Sequence, residues 1–336
     1  MNTLLTKTNF HALPGRLIRR LRRKYNDQCV NIVTYHSVSK DGNVLTDGTG
    51  LRHHPAMLEC HIDYLVEHYK PISLRDLVSA LERGEVPQRA VVITLDDGYA
   101  DSLHQAMPVL YRRRIPMTVF PVTSVIGNAD LLWSHKLAWL VAEGHAEKVD
   151  DALTAHKYPP RDENEPLLEY ARRRFRTDLP EILEDVLRST GGSGPRLAAA
   201  LRPYLEPEDI AEADPAFVDF GNHTHTHPIL SALTADQQHR EIVTARSTLK
   251  SLTGTAPIAL AYPFGLRPHY QPVSKRIAQE TGHRAALDMR CRINVGRIDP
   301  FELSRKPAPC GSQEDFEKMM EDWPANAPGN LTGGHR

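Results

Sequence analysis

The stretch that decides the fold is VVITLDDGY, Val91 to Tyr99. Five apolar or β-branched residues in a row, with no polar alternation, fit a strand buried on both faces, and such strands belong to parallel sheets covered by helices. Asp96 and Asp97 stand at the C-terminal end of that strand, and Gly98 permits a tight turn after them. In parallel α/β folds this end carries the active site, because the loops leaving the strands converge there. Taken alone, two carboxylates before a glycine are equally an ordinary turn.

Working outward, similar runs bounded by turn residues occur at Val30 to Tyr35, Met117 to Val122, Phe217 to Phe220 and Pro257 to Tyr262. Between them lie segments with helical spacing, such as Met57, Leu58, Ile62, Leu65 and Val66, or Ile242, Ala245, Leu249 and Leu252. Alternating strand and helix predicts an α/β fold with parallel strands, in an open sheet or a barrel. The segment from about 128 to 215 breaks the rhythm. It is rich in Arg, Glu and Pro, has helix-like pieces around Leu137 to Glu143 and Leu167 to Arg176, and shows no clear strand, so it reads as a helical insertion. On a barrel, such an elaboration usually sits at the ligand-binding face.

The chain has 336 residues, enough for one elaborated domain, expected over 29–322. With 25% charged residues and a formal net charge of −1 there is no basic field to suggest a nucleic-acid partner. Cys29, Cys60, Cys291 and Cys310 form no CxxC pair, which fits neither a disulfide scaffold nor a zinc-thiolate knuckle, and they read as free thiols in a reducing compartment. No run reaches the ~20 apolar residues of a membrane span. Residues 1–28 read as a basic extension in which Leu17, Ile18, Leu21 and Tyr25 can share a helix face, suited either to peripheral contact with an anionic membrane or, equally, to a solvated helix closing the bottom of the domain. Polar Asn26, Asp27 and Gln28 follow where a secretory signal would be apolar, so the expected location is cytoplasmic, at the inner face of the membrane if the basic segment binds there. Residues 323–336 read as a disordered tail.

A second cluster, FGNHTHTHP, sets His223, His225 and His227 after a short strand. If helical geometry starts near His223, that residue and His227 share a face at i and i+4 and can hold one cation, with Asp97 as a carboxylate partner. If the segment is extended, His225 becomes a possible ligand. The third element, LAYPFG, ends another apolar strand, and a backbone N–H within Tyr262, Pro263, Phe264 and Gly265 can stabilise an oxyanion there.

In order and spacing these elements resemble the polysaccharide deacetylase family, also called carbohydrate esterase family 4, in its exopolysaccharide N-deacetylase-like branch. TLDDGY is similar to the family's T-F-D-D-G, HTHTHP to its H-[ST]-x-x-H-P, and AYPFG to its third motif. Further similarity lies in TYHSV, IPMTVFPVTSVIG and FELSRKP. The resemblance implies a distorted parallel (β/α) barrel of about seven strands that removes an N-acetyl group from an amino sugar in a polysaccharide, oligosaccharide or lipid-linked glycan. It implies Asp96 as general base, with Asp97, His223 and His227 as ligands of Zn²⁺, or of Co²⁺, Ni²⁺ or Mn²⁺. The chain departs from the pattern twice. Tyr262 replaces the Arg that orients the catalytic Asp, a charge that Arg305 can supply from another strand. The usual late Leu-x-His acid is also missing, leaving His36, just past the first strand, ahead of His283 as the proton donor. The competing reading is a non-catalytic metal-containing carbohydrate-binding barrel, against which Asp96 speaks, since a binding protein needs no second carboxylate.

Overall fold

The computed structural model describes residues 29–321 apart from Gly48 and Ile293, so the segments expected at 1–28 and 323–336 lie outside the described residues. The strands are β1 (Asn31–Tyr35), β2 (Ser37–Val38), β3 (Arg52–His53), β4 (Lys70–Pro71), β5 (Ala90–Asp97), β6 (Met117–Pro121), β7 (Val218–Phe220), β8 (Ala259–Ala261), β9 (Ala285–Asp288), β10 (Leu303–Ser304) and β11 (Lys306–Pro307). All pair in parallel. One sheet runs β11-β1-β5-β6-β7 and another β10-β9-β8.

Hydrogen bonds join the two sheets at both ends. Past β7, Asn222 donates its amide to Ala259 (2.9 Å) and accepts from the Ala261 amide (2.8 Å), pairing with β8. On the other side one short stretch serves two neighbours: Leu303 and Ser304 pair with β9, whereas Lys306 and Pro307 pair with β1. Between them Arg305 donates its amide to Asp288 (3.0 Å). The seven strands β1, β5, β6, β7, β8, β9 and β10–β11 thus form a distorted parallel barrel, its closing strand split at Arg305.

Period-two alternation divides the strands between two cores. Val30, Ile32, Val92, Phe120, Ala261, Leu287 and Leu303 pack together inside the barrel. Val33, Tyr35, Val91, Ile93, Leu95, Met117 and Val119 face outward, beneath α1 (Pro55–His68) and α3 (Met107–Tyr111), while α2 (Leu74–Glu82) packs Leu74, Leu77 and Val78 against the barrel's inner set. Both faces being buried explains the uninterrupted apolar runs in the sequence.

Between β6 and β7 come α4 (Trp133–Ala142), α5 (Ala146–Ala155), α6 (Leu167–Arg173), α7 (Leu179–Ser189), α8 (Gly194–Leu201) and α9 (Pro207–Ala211). They build a core of their own from Trp133, Leu137, Leu140, Tyr170, Leu183 and Leu187, and Ile229, two residues past His227, packs into it. Helix α10 (Ala235–Thr253) opens on a capping box, Thr234 with Gln237, and ends at Gly254, whose left-handed φ of 73° a glycine adopts most readily. The last helices are α11 (Pro272–Glu280) and α12 (Gln313–Glu321). Among the described residues no helix is long and apolar enough to cross a membrane.

Candidate active site

Asp96 continues the inward set of β5, after Val92 and Thr94, and so enters the barrel mouth. Alternation alone would send Asp97 outward with Leu95. Its φ of 68° turns the chain instead, and its carboxylate faces the same mouth. Asp tolerates this left-handed conformation better than most residues. Gly98 follows at φ 74°, where a Cβ would stand 2.6 Å from the Cβ of Pro121.

Asp97, His223 and His227 converge. Asp97 Oδ1 lies 3.6 Å from His223 Nε2 and 3.5 Å from His227 Nε2, and the two Nε2 atoms are 3.2 Å apart. All three residues are buried. The histidines do not meet by helical spacing. Residues 222–227 form an irregular turn in which Thr224 (φ 67°) and His227 (φ 59°) are left-handed, and the next α-helix starts only after Thr234. The turn is tied down from within and without. Asn222 Oδ1 accepts from the Thr224 amide (2.8 Å), and Thr224 Oγ1 from the His227 amide (3.1 Å). Glu241 of α10 accepts from the amides of His225 (2.9 Å) and Thr226 (2.8 Å) and from the Thr226 hydroxyl (2.8 Å). Trp133 of α4 donates its indole N–H to the His227 carbonyl (3.0 Å). His225 turns to Thr123 (2.9 Å) and is no part of the three-residue cluster.

The cluster fits a divalent cation. Ligand bonds of ~2.0–2.2 Å in a tetrahedral sphere put neighbouring donor atoms ~3.3–3.6 Å apart, close to the 3.2, 3.5 and 3.6 Å found here. His223 donates Nδ1–H to the Ala261 carbonyl (2.8 Å), which leaves the Nε2 lone pair facing Asp97. A cation there would satisfy the His223 Nε2 lone pair and the Asp97 carboxylate oxygen, which meet at one point with His227 Nε2.

Asp96 is held apart from that trio. Arg305 donates from Nη1 to Oδ1 (2.7 Å) and from Nη2 to Oδ2 (2.6 Å); both residues are buried, the arginine completely. Burial pushes the Asp96 carboxyl up, but the Arg305 charge, His223 and the two hydrogen bonds outweigh it and hold the group below its ordinary value. Asp97 is also held down, its burial overcome by His223 and His227. Oδ2 of Asp96 is 3.8 Å from His223 Nε2, so the ionised carboxylate borders the cation position.

His36 sits in the loop leaving β1, half-buried, and its charge would act on both Asp96 and Asp97. Asp101 fixes that loop to the one after Asp97, accepting from the Ser37 hydroxyl (2.5 Å) and the Val38 amide (3.0 Å). His283 is elsewhere. It is buried against Asn222 (3.2 Å) and the Ala278 carbonyl (3.2 Å), a neutral core histidine whose burial lowers it to about 4.

The third motif needs a correction. Tyr262 cannot donate to an oxyanion, because its amide is spent on the Leu287 carbonyl (3.0 Å) and its hydroxyl on the Phe301 carbonyl (3.2 Å), with the ring stacked on Tyr270. Pro263 has no N–H, and Gly265 donates to the Pro263 carbonyl (2.7 Å). The Phe264 amide remains, at φ 58°. Its ring lies against His227, with centroids 4.8 Å apart.

Sequence reasoning missed a buried chain beside the site. Tyr99, two residues past Asp97, shares a 2.6 Å hydrogen bond with His135 Nε2, and His135 Nδ1 shares one of 2.5 Å with Tyr204. His135 belongs to α4, so the inserted helices reach the turn that carries Asp97. No sequence signal marks these three residues, which meet only through the tertiary fold.

The sequence pattern of the polysaccharide deacetylase family matches residues 83–286. YxkH of Bacillus subtilis (strain 168), provisionally named as a polysaccharide deacetylase, is 28% identical over 115 residues, 34% of this chain and 39% of that protein. Among solved structures, the Streptococcus pyogenes deacetylase PplD in complex with acetate superposes with a TM-score of 0.59 at 18% identity, over 88% of this chain and 99% of that one. IcaB from Ammonifex degensii gives 0.57 at 16% identity, over 88% and 98%. At these identities the structural likeness speaks to the fold, while the family match spans more than half of the chain and includes all three motifs. The chain therefore belongs to the polysaccharide deacetylase family.

Proposed function

We propose that this protein is a metal-dependent hydrolase that removes the N-acetyl group of an amino sugar within a glycan. The observation that carries the reading is the pairing of two adjacent carboxylates with different partners. Asp97 joins His223 and His227, while Asp96 joins Arg305 at the edge of the same point. A pure cation site has no use for the second arrangement.

Asp97, His223 and His227 would hold the cation, Zn²⁺ first by the nitrogen-rich donor set. Bound there, a divalent ion polarises the acyl carbonyl and lowers the pKa of water toward ~7. Asp96, ionised at neutral pH, accepts the proton of the attacking water. The Arg305 charge keeps that carboxylate ionised and holds it at the edge of the cation position. The Phe264 amide faces the developing oxyanion. His36 supplies the proton that the departing amine requires, and the free amino sugar and acetate leave.

Acetate release from N-acetylglucosamine oligomers, assayed beside bound-metal content, tests the roles. Asp96→Asn is expected to keep its metal and lose at least ~100-fold in kcat, and Asp97→Ala to lose both. A wild-type protein that binds metal and oligomers but releases no acetate would favour the binding-barrel reading.

A further inference from the structure

The buried chain of Tyr99, His135 and Tyr204 carries one proton more than its own bonds consume. Burial pushes both tyrosine hydroxyls well above their ordinary value and holds His135 down to about 4, so at neutral pH each of the three groups bears a single polar proton. Two hydrogen bonds join them, and the Tyr204 hydroxyl oxygen also accepts from the Leu132 amide (3.0 Å). Three protons shared between two bonds leave one over, at the Tyr204 end or at the Tyr99 end.

The surroundings decide between the ends. Tyr204 packs among Leu45, Val122, Val125, Leu131 and Leu132, and among the described residues its hydroxyl has no acceptor but His135 Nδ1. A spare proton there would be buried in apolar surroundings without a partner. Tyr204 therefore gives its proton to Nδ1, the imidazole proton sits on Nε2, and Nε2–H donates to Tyr99. What remains is the proton of the Tyr99 hydroxyl, for which the described residues offer no acceptor.

Tyr99 belongs to none of the apolar clusters of the described residues. It stands two residues past Asp97, whose charge acts on its hydroxyl, and His135 is acted on by both Asp97 and His36. Backbone bonds from the Leu205 amide to the Gly98 carbonyl (3.0 Å) and from the Ala100 amide to the Pro203 carbonyl (2.9 Å) fix the two tyrosines opposite each other. Tyr99 is 1% exposed and His223 2%, so the hydroxyl is as enclosed as the cation ligands.

We propose that Tyr99 is a substrate-binding residue whose hydroxyl donates to an oxygen of the N-acyl amino sugar, and that His135 and Tyr204, both supplied by the helical insertion, are positioning residues that keep this donor aimed. The proposal rests on the amino-sugar reading above. A donor fixed before binding loses little freedom when the substrate arrives, and each hydrogen bond of the chain polarises the next.

The experiment compares the Zn²⁺-loaded wild type with Tyr99→Phe, His135→Leu and His135→Gln on N-acetylglucosamine oligomers. It reads kcat/KM, bound metal, the melting temperature and, by nitrogen NMR of the histidine rings, the His135 tautomer. A proton on Nε2 and a bare Nδ1 are expected. Tyr99→Phe is expected to lower kcat/KM by about 3–10-fold with metal content unchanged. His135→Leu should lose a similar factor, and His135→Gln, whose amide can accept from Tyr204 and donate to Tyr99, should restore part of it. A proton on Nδ1 would put the spare one at Tyr204 and overturn the proposal whatever the activity. Unchanged kcat/KM in Tyr99→Phe would also overturn it, the hydroxyl then meeting only water. So would loss of metal from Tyr99→Phe, which would make the chain a support for Asp97. If the wild type neither binds nor deacetylates any oligomer, the amino-sugar reading fails and takes the contact with it.

Discussion

Arg305 has no solvent exposure and, among the described residues, a single carboxylate partner, so its removal leaves Asp96 buried without its two-pronged counter-charge. For Arg305→Met, the lost charge lets burial raise the Asp96 carboxyl. The acid limb of the pH profile of kcat/KM, which reports deprotonation of the base, is then expected to move up by about one unit or more. Arg305→Lys keeps a charge but not the two-pronged geometry, and a loss of roughly tenfold in kcat is expected. A steady-state pH series on the metal-loaded enzymes measures both. At this scale the sequence displayed the chemistry but not its aim. Asp96 and Asp97 stand out in VVITLDDGY, yet the positive φ that turns Asp97 inward has no signature beyond the glycine after it. That glycine gives its own test. Gly98→Ala puts a Cβ against Pro121 at φ 74°, and it is expected to lower stability by roughly 2 kcal/mol or more and to weaken metal binding. Denaturant titration and metal content check this.

Among elements, the turn 222–227 depends on α10 more than on itself. Glu241 accepts three hydrogen bonds from it, two of them from backbone amides. Glu241→Ala is therefore expected to cost about 10–100-fold in metal affinity by competition with a chelator, while the barrel stays folded. Spacing in FGNHTHTHP suggested a helix because i and i+4 share a helical face. Two left-handed residues achieve the same convergence, and conformations of this kind depend on Glu241 and Trp133, which lie far away in sequence. The strands divide similarly. Five were legible as apolar runs bounded by turns. Strand β9 is Ala285-Ala286-Leu287-Asp288, too small and short to signal a strand, and β10–β11 is split at Arg305 and continues with Lys306, two cations in a row that look like a surface loop until the barrel encloses the arginine.

The whole molecule carries an acid liability. Burial holds His135 and His283 down to about 4 and His61 to about 3, so all three are neutral when folded. Unfolded histidines titrate near ~6.5. Between those values the unfolded chain binds more protons, so stability falls as pH drops below about 6.5, by up to ~1.4 kcal/mol per pH unit for each residue. The loss levels off once pH passes below the folded values. Urea unfolding at several pH values should show this slope, and His283→Asn should flatten it. The split closing strand has a further consequence for where this protein begins and ends. The family-matched stretch, 83–286, holds all three motifs but neither β1 nor β10–β11. A polypeptide cut to that stretch would expose the flank of β5 as an unpaired edge, would break β9 after Ala286 and would lack both His36 and Arg305. Such edges recruit other chains. Recognition by motif and competence to fold thus have different borders here: the trimmed protein should be recovered as aggregate, whereas one spanning 29–321 should be soluble.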